Sequence, residues 1–155
     1  MILRRAALVV ALLLAALAGA AAYVHVTTPA PGAKVVEVWK SQTCGCCTSW
    51  IAYMEDNGYA VTVHDVDDVD PIKDQFNVPT ELRSCHTARI DGYVIEGHVP
   101  VEAIAKLVAD KPKTVEGIAV PGMPPGAPGM DEDDSPYPVL TFGAGKIAPL
   151  YGRQG

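Results

Sequence analysis

Positive charge is scarce in this chain of 155 residues: 12 lysines and arginines face 18 aspartates and glutamates, a formal net charge of −6. That deficit argues against nucleic acid and anionic lipid as partners, because both are held chiefly by basic side chains. No internal repeat is visible, and the chain is too short for two ordinary domains. Charged residues make up only 19% against 49% hydrophobic ones, which excludes a disordered polymer and leaves one globular unit with appendages.

The long apolar run is at the start. Arg4 and Arg5 precede an Ala/Leu/Val stretch from Ala6 to Ala18, followed by Gly19, Ala20, Ala21 and Ala22. A basic lead, an apolar stretch of that length and small residues before a cut at Ala20 or Ala22 are what a secretory signal requires. The expectation is export, cleavage after residues 1–22 and no stable membrane insertion afterwards. An uncleaved anchor is the alternative, since Ala6 to Val26 is just long enough to span a bilayer. Cleavage removes two arginines and no acid, which takes the formal charge from −6 to −8. Such acidity suits a protein that handles cations.

Residues 23–33, rich in Thr, Pro and Gly, read as a linker. KVVEVWK then predicts a strand and SQTCGCC a turn, with a helix over 46–57 closed by Asn57-Gly58. A second strand is expected over 59–66 and a short helix over 67–77, with Asp70 as its N-cap and Pro71 in its first position. A loop carrying Pro79 and Cys85 leads into HTARI and YVIEGHV, joined by Asp91-Gly92 as a hairpin. Val101 to Ala109 places Ile104, Leu107 and Val108 on one helical face.

The resulting α/β order, β-α-β-α-β-β-α with a cysteine turn between the first strand and first helix, is the thioredoxin-like arrangement. Residues 34–112 form that core. In 113–155, PGMPPGAPGM (121–130) and an acidic run predict an exposed loop, and VLTF and KIAPLY around Gly143–Gly145 predict a terminal hairpin packed on the core.

Chemistry concentrates in the cysteines. Cys44, Cys46 and Cys47 crowd the start of a helix, where unpaired N–H groups and the helix dipole favour thiolates. Cys85 is distant in sequence but precedes the third strand, and a thioredoxin-like topology brings that loop beside the same helix end. Two structural disulfides would be awkward among such close neighbours. A thiol-disulfide oxidoreductase would use Cys44 and Cys47, with Cys46 intruding between them. Zinc normally takes two well-separated cysteine pairs, whereas copper(I) is soft, accepts few ligands and shares bridging thiolates. The crowding therefore favours several copper(I) ions over a single zinc.

Met123 and Met130 could add thioether ligands, or simply pack the loop on the core. His86 adjoins Cys85 and is the best placed of the four histidines as a secondary ligand, unless its strand turns it to the opposite face. His98 could approach the same region. Trp39 and Trp50 flank the cysteine turn as core residues.

CGCC, SCHT, GHVP and GMPPGAPGM, in that order over about residues 34–151, resemble the CopG-like family of predicted periplasmic metal-binding proteins associated with bacterial copper resistance. The resemblance implies a periplasmic protein of thioredoxin-like fold. It also implies a copper cluster held by Cys44, Cys46, Cys47 and Cys85, with a role in copper tolerance by sequestration, transfer or redox conversion. Copper ions, and other periplasmic copper-handling proteins, would be its partners.

Overall fold

The computed structural model describes residues 32–130 and 132–149. The expected signal segment and nearly all of the linker lie outside the described residues. Among the described residues, no helix is long and apolar enough to cross a membrane.

Strand β1 (Val35–Ser41) alternates as its sequence requires, with Val36, Val38 and Lys40 buried. It pairs in parallel with β2 (Ala60–Val66), and a parallel pair needs a crossover. Helix α1 (Gly45–Asp56) supplies it, burying Cys47, Trp50, Ile51 and Met54. Gly58, at φ +84°, ends α1 in the left-handed conformation that glycine adopts freely.

Helix α2 (Asp70–Gln75) is shorter than expected, and its cap is displaced. Val69 occupies the N-cap position and Asp70 is the first helical residue, with Pro71 behind it. The reason lies two residues upstream: the Asp68 carboxylate accepts the Asp70 N–H at 2.9 Å, an Asx-type turn that takes over the capping role. A single turn of 3₁₀ helix at Thr80–Leu82 then delivers the chain to Cys85.

Strand β3 (His86–Ile90) runs antiparallel to β1 on the side away from β2 and forms a hairpin with β4 (Tyr93–Glu96). Asp91 and Gly92 both take positive φ, 48° and 89°, as a two-residue hairpin turn of type I′ demands. Helix α3 (Val101–Asp110) buries Ile104, Leu107 and Val108 as its periodicity predicts, and Ala103 with them.

The sheet continues past α3. Strand β5 (Gly117–Ala119) pairs in parallel with β4, and β6 (Leu140–Gly143) runs antiparallel to β5. β7 (Lys146–Pro149) closes a hairpin with β6 through Ala144 and Gly145. Among the described residues the result is a mixed α/β fold with three α-helices and a seven-stranded sheet of order β2-β1-β3-β4-β5-β6-β7. β5 has no counterpart in the sequence reading. Gly-Ile-Ala is too short to show alternation, and all three residues are buried by their neighbours.

The Pro/Gly/Met loop lies against α1. At Gly129, φ +81°, a Cβ would stand 2.6 Å from the backbone nitrogen of Trp50, so only glycine permits so close an approach. Met130 packs against the main hydrophobic core, whereas Met123 is 57% exposed.

Candidate metal centre

Four sulfurs meet at the amino end of α1. Cys44 is the N-cap, and its sulfur accepts the Cys47 N–H at 3.4 Å. Cys46 stands on the first turn, 3.6 Å from the Cys44 sulfur and 3.8 Å from that of Cys85. The sulfurs of Cys44, Cys46, Cys47 and Cys85 all lie within 4.8 Å of one another. The topology does what the sequence reading required: β3 lies next to β1, so the residue entering β3 sits beside the residues leaving β1.

Cys44 and Cys47 are joined as a disulfide, and Cys46 and Cys85 are free thiols. The structure therefore holds the two-electron-oxidised form of the group, and four-thiolate binding requires that bond to be reduced. The remaining spacings suit a metal. Two thiolates on one tetrahedral ion at about 2.3 Å stand roughly 3.8 Å apart. The separations from Cys46 to Cys44 and to Cys85 are already of that size. An all-sulfur donor set of this kind fits a soft ion.

Cys85 occupies a partly buried position that burial and the neighbouring Cys46 make hostile to a thiolate, and its pKa is pushed up to about 12. Two imidazoles flank it: His98 Nε2 at 3.1 Å and His86 Nδ1 at 3.4 Å. Both histidines are fully buried. His98 Nδ1 lies 2.8 Å from the Pro128 carbonyl, which can only accept, so Nδ1 carries the proton and Nε2 presents its lone pair to Cys85. His86 is held well below the ordinary histidine range, first by burial and then by the close second imidazole of His98, beside which a further positive charge is disfavoured.

The same architecture occurs in solved structures. One, titled "Copper resistance protein copG- Form 2", is 38% identical over 79% of this chain and 99% of its own, with a TM-score of 0.73. The chain belongs to the CopG family. A second, "Copper resistance protein copG- Form 1", is 40% identical over 76% of this chain and 94% of its own, with a TM-score of 0.70. Residues 82–130 match the family described as "Protein of unknown function, DUF411". No curated protein matches the chain.

In this CopG-family chain the sequence reading underrated His98 and overlooked what holds the Cys85 loop. His98 lies closer to Cys85 than His86 does, because β4 ends at Glu96 and Gly97, φ +70°, turns the chain out of the strand. GHVP held the signal: a glycine before a histidine marks a break in strand alternation.

The loop itself is fastened from below. Buried Glu96 accepts from Lys73 Nζ at 2.7 Å, from Thr87 Oγ1 at 2.7 Å and from the Ser84 N–H at 2.6 Å. Lys73 also donates to Thr87 at 3.0 Å. Burial raises the Glu96 pKa, and Lys73 opposes the rise; with three donors on its oxygens the carboxylate is the form the site is built for. Ser84 Oγ further donates to the Gly122 carbonyl, which ties the start of the Pro/Gly/Met loop to the same place.

Trp50 packs its ring 4.6 Å from His86 and donates to the Val99 carbonyl at 3.0 Å. Trp39 stacks instead on His64 at 4.9 Å.

Proposed function

We propose that this chain is a copper-binding protein of the periplasm, exported by its first 22 residues, on a core of thioredoxin-like type. In it Cys44, Cys46, Cys47 and Cys85 hold several copper(I) ions as bridging thiolates. Its role is copper resistance, by sequestering copper, passing it to other periplasmic copper-handling proteins, or changing its oxidation state.

The observation that carries the reading is the convergence of four sulfurs, three from one helix turn and one from a distant loop, within 4.8 Å. Membership of the CopG family supports copper as the metal, and the softness of the donors supports copper(I) over harder ions. Once bound, copper supplies a soft, redox-active ion. The chain's own residues contribute the thiolates, the helix end that favours their charge, and the buried surroundings that limit access of water.

Mass spectrometry of the anaerobically reduced chain under non-denaturing conditions tests this. More than one copper per chain is expected. Uptake of a single zinc with refusal of multiple copper ions contradicts the reading.

The Cys44–Cys47 disulfide favours a second reading, a thiol-disulfide oxidoreductase with that pair at a helix start. It requires that Cys47→Ser abolish thiol exchange and that Cys85→Ser leave exchange intact. The copper reading requires that Cys85→Ser weaken copper retention as much as Cys44→Ser does.

A further inference from the structure

Among the described residues the sheet has two outer edges, β2 and β7, and they are built differently. β7 is four residues long and carries Lys146 and Pro149, a charge and a ring that deter a further strand. β2 is seven residues long, AVTVHDV, with neither lysine nor proline, and its Val63 is 42% exposed. Its single acid, Asp65, is engaged by Lys40 of the same chain at 2.9 Å. We infer that β2 is the docking edge for a second copy of this chain, which pairs antiparallel along it so that two sheets become one.

The backbone directions follow from one hydrogen bond. The Ala60 N–H donates at 3.0 Å to the Lys34 carbonyl, just ahead of β1, so Ala60 turns its backbone groups inward. Successive strand residues alternate, and Thr62, His64 and Val66 therefore also face β1 across the parallel ladder. Val61, Val63 and Asp65 turn their N–H and C=O groups outward, where β2 has no neighbouring strand among the described residues. Unpaired strand groups of this kind are a template for another strand.

The sequence of β2 is self-complementary, which selects a second copy as the occupant. A two-fold axis through Val63 pairs the strand over its whole length, Ala60 to Val66. Val63 meets Val63 of the second copy, Val61 meets its Asp65, Thr62 its His64 and Ala60 its Val66. The outward-facing residues then form the hydrogen-bonded pairs, each exchanging both N–H and C=O. No like charges stand opposite each other, whereas an axis moved to Asp65 would set two carboxylates face to face.

A stable interface buries about 1,200–2,000 Å², more than one edge strand supplies, so the dimer is expected to be weak and concentration-dependent. The axis reverses the strands, so the two cysteine groups stand at opposite ends of the joined sheet. Copper uptake per chain is the same in monomer and dimer, and failure of the copper reading would leave this inference untouched.

Sedimentation equilibrium of the wild-type chain from micromolar to millimolar concentration tests it, with hydrogen exchange read at Val61, Val63 and Asp65. The mass should rise from that of one chain towards twice that value, and these amides should exchange more slowly in step. Val63→Lys sets two ammonium groups opposite each other and should hold the mass at one chain, with the circular dichroism unchanged. Ile147→Lys, on the outer edge of β7, should leave the dimer intact.

A chain that stays monomeric at millimolar concentration overturns the inference. So does a dimer that persists in Val63→Lys, or one whose protected amides lie elsewhere. Should Val63→Lys not fold, exchange in the wild-type chain decides alone: protection at these amides that is independent of concentration overturns the pairing.

Discussion

Replacing Glu96 with glutamine changes one buried oxygen into an amide and leaves the side-chain volume nearly intact. Three donors converge on that carboxylate, and Lys73, itself 2% exposed, loses its only counter-charge among the described ion pairs. Breaking a buried pair by neutralising one partner costs about 3–5 kcal/mol, because the other charge is left unpaired in a poor solvent for ions. For a domain of this size that corresponds to a fall in Tm of roughly 10–20 °C.

Chemical denaturation of Glu96→Gln, beside the double variant Lys73→Met/Glu96→Gln, measures the loss and its origin. The double variant should recover much of the stability, since the stranded ammonium is gone. A loss below about 1 kcal/mol in the single variant, or a double variant no better than the single one, refutes the assignment of Lys73–Glu96 as a coupled buried pair. Because Glu96 also holds the Ser84 N–H, copper retention should drop in Glu96→Gln under conditions where the variant remains folded. Equilibrium competition with a copper(I) chelator reads that drop.

Thiol labelling under denaturing conditions should find two free thiols, Cys46 and Cys85, in the chain as its disulfide stands, and four after reduction, with copper uptake rising in step. With its pKa pushed up to about 12, Cys85 is protonated at pH 7, so thiolate binding must expel that proton. A weakly buffered titration with copper(I) should register acidification that shrinks in Cys85→Ser. Gly129→Ala forces a side chain at φ +81° against the Trp50 backbone, and is expected to destabilise by about 1–3 kcal/mol and speed proteolysis of the 121–130 loop.

Local chemistry made much of this legible. Asn57-Gly58 announced the end of α1, Asp91-Gly92 the β3–β4 hairpin, and the apolar spacing of Ile104, Leu107 and Val108 the buried face of α3. The meeting of Cys85 with the other cysteines followed from element order alone. What escaped was set by partners far apart in sequence. β5 is a strand only because β4 and β6 flank it, and the N-cap moved to Val69 because the Asp68 carboxylate takes the Asp70 N–H and starts the helix one residue early. Nothing local in the sequence links Lys73 to Glu96, and only the packing of α2 on β4 brings them together. His98 lost its apparent strand position to one glycine with a positive φ.

The two ends of the Cys44–Cys47 bond are not equivalent. Cys47 has no exposed surface, while Cys44 caps the helix at the rim. An external thiolate can strike only at the outer sulfur, and the inner one must depart. Opening the bond is therefore directional: any reductant becomes tethered to Cys44 first, and copper can claim the full set of ligands only after that visitor has been expelled.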